Sequence, residues 1–455
     1  MARLNRSNIV PGLKRALAST KCLDSVACSD NQRIADYSLF FNEQTKLTKP
    51  APIWRYVEKK SKTPTSGQVW MDGGFPNSIQ FPLLKATLTL SDGNEIEITP
   101  VEMKRGLQYT SSKGMSKIRR WVDELYRRVH KPPTMDDGGL PSSLALLLTP
   151  GGRFGVVQAI SMLVEDGGCF LAEEVIYQTI SPTFLPRKVR GVPIRSDNEG
   201  MDPVHLKQVL SEWDEGSQGR RPHLMYTVPS LSNPTGKTLS EQRKKDLYNV
   251  AREFNILILE DDPYYFLQSY LVPSFLSMDT DGRVIRVDSF SKTLSPGCRI
   301  GIVFGPKQIV EKMTVIQHPM TGGPNALSQV IISKVVDTWG HDKFLKHMEK
   351  VASFYKQRND TLISYMEKYL TGLCEWTPAG AGMFQWVTLL GVDKSEPVVD
   401  RLMERGVFVM DGSIFSLDLA SRPNIRLCYS RVSDKQLEKA ISTLADVLKE
   451  LRDIK

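Results

Sequence analysis

Residues 284–301 read VIRVDSFSKTLSPGCRIG and bring three kinds of polar group to the end of one strand. The apolar run predicts a buried strand, which ends in Ser289, Ser291 and Lys292, and Arg299 follows seven residues after the lysine. A lysine taken alone is usually a solvated surface residue, because its ammonium is strongly hydrated. Hydroxyls, an amine and a guanidinium after a single strand instead indicate a functional site.

Three other segments place polar residues next to apolar runs. The run NILILEDD is followed by two tyrosines, so Asp261 has Tyr264 three residues on, and Asp262 has Tyr265 at the same spacing. The sequence NPTG, which begins at Asn233, predicts a turn between a strand and a helix. Near the C-terminus, PNIRLCYS places an arginine, at position 426, on an apolar strand.

These segments together resemble the fold-type I aminotransferases, which depend on pyridoxal 5′-phosphate (PLP). Residues 289–301 match the family motif S-x-S-K-x-x-x-x-G-x-R-x-G at each defined position. The resemblance implies that Lys292 forms the Schiff base with PLP and later acts as general base. It also implies that Ser289, Ser291 and Arg299 hold the phosphate. Such chemistry needs an amine that can become neutral, and a fixed cationic fork for a dianion.

The resemblance also implies roles for the other segments. Its register favours Asp261 with Tyr264 over the alternative Asp262. A carboxylate at that position keeps the pyridine nitrogen protonated, which makes the ring an electron sink. Asn233 and Tyr264 are implied to bind the 3-oxygen of PLP. Arg426 is implied to bind the α-carboxylate of the substrate through two parallel hydrogen bonds.

Two more tyrosines match family positions. Tyr109, in LQYTSSKG, resembles the tyrosine that reaches the phosphate bound by the neighbouring subunit. Tyr177, in EEVIYQ, resembles the residue whose ring stacks on the cofactor. The first of these matches implies a homodimer.

The glycine-rich phosphate cup departs from the family pattern. It reads TPGGRFG, where relatives commonly have a hydroxyl or acidic residue at the position of Gly152. Backbone amides at a helix N-terminus still bind phosphate, and Arg153 adds a charge. The alternatives are weaker retention of PLP, or an Arg153 side chain that points into solvent.

Within the family, the segments KPAPI, DGGFPN, LQYTSSKG and EDDPYYFLQ resemble the aromatic and 2-aminoadipate/kynurenine branch, especially its fungal aromatic members. This resemblance implies that Gly74 and Trp54 bind substrate. Relatives carry a basic residue where this chain has Trp54, with Arg55 displaced by one position. An indole cannot neutralise a second carboxylate, so we expect aromatic donors to be preferred over 2-aminoadipate. The alternative is that Trp54 is a packing residue of the arm and that Arg55 binds the second carboxylate.

The order of apolar runs predicts the fold. Strand-like runs at CFLAE, HLMYTV, NILILED and RVIRVDSF alternate with helical stretches such as LSEQRKKDLYNVAREF, which indicates a doubly wound, mainly parallel α/β sheet. A helical region from Ala326 to Lys368 precedes two strands and a closing helix, which predicts a smaller α+β domain. We expect an arm over residues 1–70 with a short helix near residues 54–60, a large PLP-binding domain over 71–345 and a small domain over 346–455.

The composition and charge pattern argue against several other classes of protein. The formal charge of +8 comes from basic residues interleaved with acids, which disfavours nucleic-acid binding. We find no apolar run long enough for a membrane span and no cysteine spacing typical of a metal site. The basic first 22 residues are compatible with a mitochondrial transit peptide or a disordered tail. We expect a cytoplasmic protein, with mitochondrial import as the alternative.

Two rival functions remain at this stage. A PLP lyase or decarboxylase would use the same Lys292, Asp261 and Arg299, because these residues hold the cofactor without selecting which Cα bond breaks. Arg426 favours transamination, since a pinned carboxylate leaves the Cα–H bond to be aligned with the ring. A catalytically degenerate paralogue is the second rival, prompted by the altered phosphate cup.

Overall fold

The structure is a computed structural model that describes residues 33–53, 69, 71, 73–135, 143–177, 181–417 and 420–453. The predicted helix near residues 54–60, and with it Trp54, lies outside the described residues, as does the basic N-terminal segment. Within the described residues, no helix is both long enough and apolar enough to cross a membrane.

Strands and helices alternate along most of the described chain. The strands are β1 Ala86–Thr89, β2 Glu95–Ile98, β3 Leu144–Thr149, β4 Cys169–Glu173, β5 Arg190–Ile194, β6 Ser196–Asp197, β7 Gly200–Met201, β8 Leu224–Thr227, β9 Leu257–Asp261, β10 Val284–Ser289, β11 Gly301–Pro306, β12 Cys374–Glu375, β13 Phe384–Leu389, β14 Met410–Asp411 and β15 Asn424–Cys428. The α-helices span Glu43–Leu47, Pro100–Gly106, Ser116–Val129, Gly152–Leu163, Ser181–Phe184, Pro203–Ser211, Glu215–Gln218, Glu241–Glu253, Lys307–Thr321, Ala326–Leu370, Glu396–Glu404 and Asp434–Asp453.

The main sheet confirms the predicted α/β class. Its seven strands follow the order β3-β11-β10-β9-β8-β4-β5. The pairs β4–β5, β4–β8 and β8–β9 are parallel, whereas β11 is antiparallel to both of its neighbours. Strands β4, β8, β10 and β11 are buried along their whole length, which explains why they are apolar runs without alternation.

Strand β11 was not among the predicted strands. Its sequence GIVFGP contains two glycines and a proline, which are breaker signals in a single sequence. Gly301 nevertheless pairs with Thr149 of β3 and with Ser289 of β10. A Cβ on Gly301 would lie 2.4 Å from the backbone nitrogen of Gly152, so only glycine fits there.

Contacts divide the chain into two compact units, each formed from separate segments. One unit comprises Asn31–Leu163 and Thr280–Phe344; it contains Lys292 and is called the lysine unit. The other comprises Val164–Asp279 and Leu345–Lys455; it contains Arg426 and is called the arginine unit.

In the lysine unit, the helix Gly152–Leu163 packs on β10 and β11, and the helix Lys307–Thr321 packs on β3 and β11. A Cβ on Gly155 would lie 2.8 Å from Val303 Cγ2, which shows how closely the first of these helices approaches the sheet. The N-terminus of this helix therefore lies beside the end of β10.

In the arginine unit, strands β12–β15 form an antiparallel sheet with the order β12-β13-β15-β14. Alternation along β15 buries Ile425 and Leu427 in a core that includes residues of the helices Glu396–Glu404 and Asp434–Asp453. Successive side chains on a strand point to opposite faces, so Arg426 faces away from that core. Its cross-strand partner is Trp386 of β13.

The predicted helical region from Ala326 consists of two helical segments. The backbone at Gly340 has φ 60° and ψ 179°, which is not helical. Positive φ strains residues with a Cβ, and glycine adopts it freely. The apolar periodicity alone did not reveal this interruption.

Candidate active site

The lysine unit holds a glycine-lined cradle at the end of β3 and β10. Gly151 has φ 94°, and a Cβ there would lie 2.5 Å from Arg299 Nη2, so the guanidinium lies directly over this turn. A Cβ on Gly152 would lie 3.4 Å from the Cβ of Ser289. The first turn of the helix Gly152–Leu163 is thus next to the serine that ends β10. Free amides of a helix N-terminus, with the positive end of the dipole, attract anions.

Two hydroxyls line the same cradle. Ser289 Oγ lies 2.8 Å from Ser291 Oγ and accepts a hydrogen bond from the Ser291 amide at 3.1 Å. Lys292 follows in the next turn and is half-buried. Arg299 is exposed, as is Arg153 on the first helical turn. The structure therefore brings Ser289, Gly152 and Arg299 together at one strand end.

A buried network beneath the cradle was missed by the sequence analysis. Asp288 Oδ2 accepts hydrogen bonds from Tyr126 Oη at 3.0 Å and from Arg286 Nη2 at 3.3 Å. Its Oδ1 accepts the Ser289 amide at 2.6 Å. Burial raises the pKa of Asp288, although Arg286 acts in the opposite direction. The network fixes the backbone at Ser289. The sequence feature that could have indicated this network is the pair of charged residues, Arg286 and Asp288, inside the apolar run VIRVDS.

Tyr109, predicted to serve a neighbouring subunit, is 76% exposed. Its ring centroid lies 6.2 Å from that of Phe75, which is also exposed. Gly74 precedes Phe75 and has open space where a Cβ would be.

In the arginine unit, the carboxyl ends of parallel strands carry the acidic candidates. Asp261 ends β9 and is half-buried, and its Oδ2 accepts a hydrogen bond from Tyr226 Oη at 3.0 Å. Asp262 is fully buried and accepts a hydrogen bond from Ser230 Oγ at 3.1 Å. The two acids thus have different environments, and only Asp261 retains solvent exposure.

Tyr264, Asn233 and Arg426 form a second cluster in this unit. The Arg426 guanidinium donates from Nη1 to Asn233 Oδ1 at 2.8 Å. Burial and the Asp261 carboxylate raise the pKa of Tyr264, whereas a hydrogen bond from Asn233 acts in the opposite direction. Tyr264 therefore stays a protonated phenol at working pH. Tyr177 also contributes electrostatically to the pKa of Tyr264.

The Arg426 guanidinium contacts two aromatic rings. Its guanidinium carbon is 4.5 Å from the centroid of Phe384 and 4.8 Å from that of Phe415. Its Nε is buried and has no hydrogen-bond partner among the described residues. A buried donor without a partner is costly, so this nitrogen adds no stability to the cluster.

Backbone pairing also connects the segments around this cluster. The Ile176 amide donates to the Phe415 carbonyl at 2.9 Å, and Val175 forms an isolated bridge with Ser416. The position of Tyr177 is thereby tied to the ring that covers Arg426.

Comparisons with known proteins show the family to which this chain belongs. The family model described as aminotransferase class I and II matches residues 105–444. The kynurenine/α-aminoadipate aminotransferase of Bos taurus mitochondria is 34% identical over 423 residues, which cover 91% of this chain and 99% of that protein. An aromatic amino acid aminotransferase of Schizosaccharomyces pombe is 30% identical over 383 residues, covering 75% of this chain and 79% of the relative.

Solved structures give the same result. The aminotransferase Aro8 from Candida albicans matches with a TM-score of 0.82 and 25% identity, covering 92% of this chain and 99% of that one. A kynurenine aminotransferase from Pyrococcus horikoshii matches with a TM-score of 0.71 and 26% identity over 91% of this chain and 98% of that one. The chain therefore belongs to the class I and II aminotransferases, PLP-dependent enzymes of fold-type I that move an amino group between an amino acid and a 2-oxo acid.

Proposed function

We propose that aromatic L-amino acids are the preferred amino donors of this aminotransferase. The observation that carries the proposal is the pair of rings, Phe384 and Phe415, that contact the Arg426 guanidinium. The Trp386 ring adds an edge contact to Phe415 at 5.9 Å. A substrate held by its α-carboxylate at Arg426 lies beside aromatic side chains. An aromatic pair gains about 0.5–1.5 kcal/mol beyond area burial.

The names of relatives support the same substrate class. One relative from Schizosaccharomyces pombe is named an aromatic amino acid aminotransferase, and one from Serpula lacrymans is named an L-tyrosine:2-oxoglutarate aminotransferase. The mammalian relatives carry both kynurenine and α-aminoadipate in their names. Trp54 in place of a basic residue favours the aromatic alternative, because burying a second carboxylate without a partner costs several kcal/mol.

The test is a comparison of kcat/KM for phenylalanine and 2-aminoadipate in wild type and in Trp54→Arg. We expect wild type to prefer phenylalanine, and the variant to gain activity on 2-aminoadipate. A wild-type preference for 2-aminoadipate would refute the proposal. Unchanged ratios in Trp54→Arg would assign the discrimination to Phe384 and Phe415 alone.

The cradle of the lysine unit fits the phosphate of PLP. Gly151 and Gly301 have no space for a Cβ, so backbone amides and the Arg299 guanidinium are brought close to one point. We assign the phosphate to the Gly152 amide, Ser289, Ser291 and Arg299, with Arg153 as an additional cation. Charge-assisted hydrogen bonds of this kind are roughly twice as strong as neutral ones.

The arginine unit fits the ring and the substrate. PLP supplies an electron sink for the negative charge that develops at the substrate Cα. We assign the pyridine nitrogen to Asp261, and the 3-oxygen to Tyr264 and Asn233. Tyr177 is assigned to the face of the ring. Arg426 binds the α-carboxylate through its guanidinium.

Lys292 has two successive roles in this proposal. Its amine would hold the cofactor covalently, and as a neutral amine it would take the proton from the substrate Cα. Lys292→Ala should therefore change the absorption band of the bound cofactor, and borohydride reduction should no longer fix the cofactor to the protein. Retention of covalent cofactor in that variant would mean that another lysine is the anchor.

We also propose a homodimer formed through the N-terminal part of the lysine unit. Many large apolar side chains between residues 39 and 109 are at least half exposed: Leu39, Leu47, Ile53, Val69, Met71, Phe75, Ile79, Leu83, Leu84, Val101 and Tyr109. Concentrated apolar exposure marks interaction surfaces. Light scattering coupled to size-exclusion chromatography tests it, and a monomer at micromolar concentration would contradict it.

For localisation, we propose the cytoplasm, with mitochondrial import as the alternative that the mammalian relatives named mitochondrial support. A fusion of residues 1–35 to a fluorescent protein decides between them. Mitochondrial fluorescence, lost when Arg3, Arg6, Lys14 and Arg15 are replaced by glutamine, would establish import.

A further inference from the structure

Tyr226 contacts the carboxylate that is assigned to the pyridine nitrogen. It lies on β8, next to β9, and its side chain is fully buried. Its hydroxyl donates to Asp261 Oδ2 at 3.0 Å. A strand tyrosine with an apolar environment is usually a packing residue, and nothing in the sequence HLMYTV distinguishes it from one.

The hydroxyl can act only as a donor toward this carboxylate. An ionised carboxylate accepts hydrogen bonds and has none to give. Burial first, and then the Asp261 charge, raise the pKa of Tyr226 well above its ordinary value. The phenol is therefore protonated over the whole working range of pH.

The donor also has a fixed position. Tyr226 pairs with Ala172 of β4 on one side and with Leu259 of β9 on the other. Its ring meets Phe170 edge-on, with centroids 6.5 Å apart and an interplanar angle of 89°. By contrast, the terminal torsion of an aspartate is broad and roughly two-fold, so a carboxylate at a strand end rotates easily.

We propose that Tyr226 is a positioning residue that fixes the rotation of the Asp261 carboxylate, so that this charge is held in place for the ring nitrogen of the cofactor. The inference rests on the proposed role of Asp261. Tyr226 acts through Asp261 and touches neither substrate nor cofactor. Its contribution is preorganisation, which places a charge before the reaction needs it.

The same unit contains a matched control. Tyr248 is 4% exposed, and its hydroxyl donates to the fully buried Asp279 at 2.9 Å. Neither residue of this pair is assigned to cofactor or substrate. Tyr248→Phe therefore removes the same chemical contact, a buried phenol–carboxylate hydrogen bond, without affecting Asp261.

The experiment compares Tyr226→Phe, Tyr248→Phe, Asp261→Asn and the double variant Tyr226→Phe/Asp261→Asn as holoenzymes. For Tyr226→Phe we expect kcat to fall about tenfold with little change in KM, since a hydrogen bond to a charged group is lost. The pH midpoint of the cofactor colour change should move in the same direction as in Asp261→Asn, by a smaller amount. In the double variant, Tyr226→Phe should lower kcat little further than Asp261→Asn alone, because the effects of coupled residues are not additive.

Thermal unfolding separates positioning from packing. Both Phe variants should lose similar stability, while only Tyr226→Phe changes kcat and the colour midpoint. Normal kcat and midpoint in Tyr226→Phe, together with a severe defect in Asp261→Asn, would assign Tyr226 to packing alone. Near-normal turnover in Asp261→Asn would instead overturn the role of Asp261, and the inference with it.

Discussion

Arg426 and Asn233 are joined by a hydrogen bond of 2.8 Å although they are 193 residues apart in the chain. The bond links the C-terminal strand β15 to the NPTG turn that follows β8. It holds the guanidinium in one orientation, in contact with Phe384 and Phe415. The residue assigned to the substrate carboxylate is therefore positioned before substrate binds.

Arg426→Lys tests this arrangement. A lysine keeps the charge but has no planar fork, so it cannot bind a carboxylate bidentately while also donating to Asn233. We expect kcat/KM for amino acids to fall on the order of 10–100-fold, chiefly through KM. The PLP dissociation constant should stay at the wild-type value. If PLP affinity fell together with kcat/KM, Arg426 would be holding the cofactor site and not the substrate.

The motif glycines offer a matched pair of substitutions. A Cβ on Gly301 would lie 2.4 Å from both the carbonyl carbon of Gly151 and the nitrogen of Gly152, whereas a Cβ on Gly297 would meet nothing closer than 3.7 Å. We expect Gly301→Ala to abolish tight PLP binding, because the backbone of the cradle must shift. Gly297→Ala should bind PLP normally. Equilibrium titration with PLP measures both, and equal affinities would show that the cradle tolerates displacement.

Arg153 is exposed on the first turn of the helix that begins at Gly152. If it supplies a charge to the phosphate in place of the missing hydroxyl, Arg153→Ala should weaken PLP binding by about 1–3 kcal/mol. Fluorescence titration with PLP gives the constant. An unchanged constant would mean that Arg153 remains in solvent and that Arg299, the serines and the amides suffice.

Tyr109 is 76% exposed in the single chain, and we expect a partner subunit to cover it. If Tyr109 serves the partner's site, Lys292→Ala and Tyr109→Ala subunits complement each other. Mixing and reassembling the two weakly active variants should restore up to about a quarter of wild-type activity, since half of random dimers carry one intact site. Activity no greater than the sum of the separate variants would place Tyr109 in its own subunit's site.

Glu173 gives the stability of the protein a pH dependence of known sign. Burial raises its pKa from 4.5 to about 7, although Thr227 and Lys237 act in the opposite direction. The folded state then holds this proton more tightly than the unfolded state. The free energy of unfolding should fall as pH rises from 4.5 to 7, with a slope of at most about 1.4 kcal/mol per pH unit.

The variant Glu173→Gln cannot ionise and should lack this slope, while its amide oxygen still accepts from Thr227. Urea unfolding at several pH values measures the difference between variant and wild type. Parallel stability curves for the two proteins would contradict the assignment.

The sequence by itself determined the family and most of the buried strands, and it predicts the cofactor-lysine segment. Local order explains this: Ser289, Lys292 and Arg299 are close in the chain, and a covered parallel strand must be an apolar run bounded by turns. Strand β11 was not predicted, because its glycines look like those of a loop in a single sequence. In the structure they are required because the backbones approach closely.

Only the tertiary structure decided which residues surround these groups. In the sequence, Asp261 and Asp262 each precede a tyrosine by three residues, so the spacing does not distinguish them. Their burial and hydrogen-bond partners differ only in the folded chain, where β8 lies beside β9. The rings that contact Arg426, and the contact of Tyr226 with Asp261, are also set by the tertiary structure. They join residues that are remote in the chain, and side-chain contacts of that kind depend on strand order and register, which local patterns do not encode.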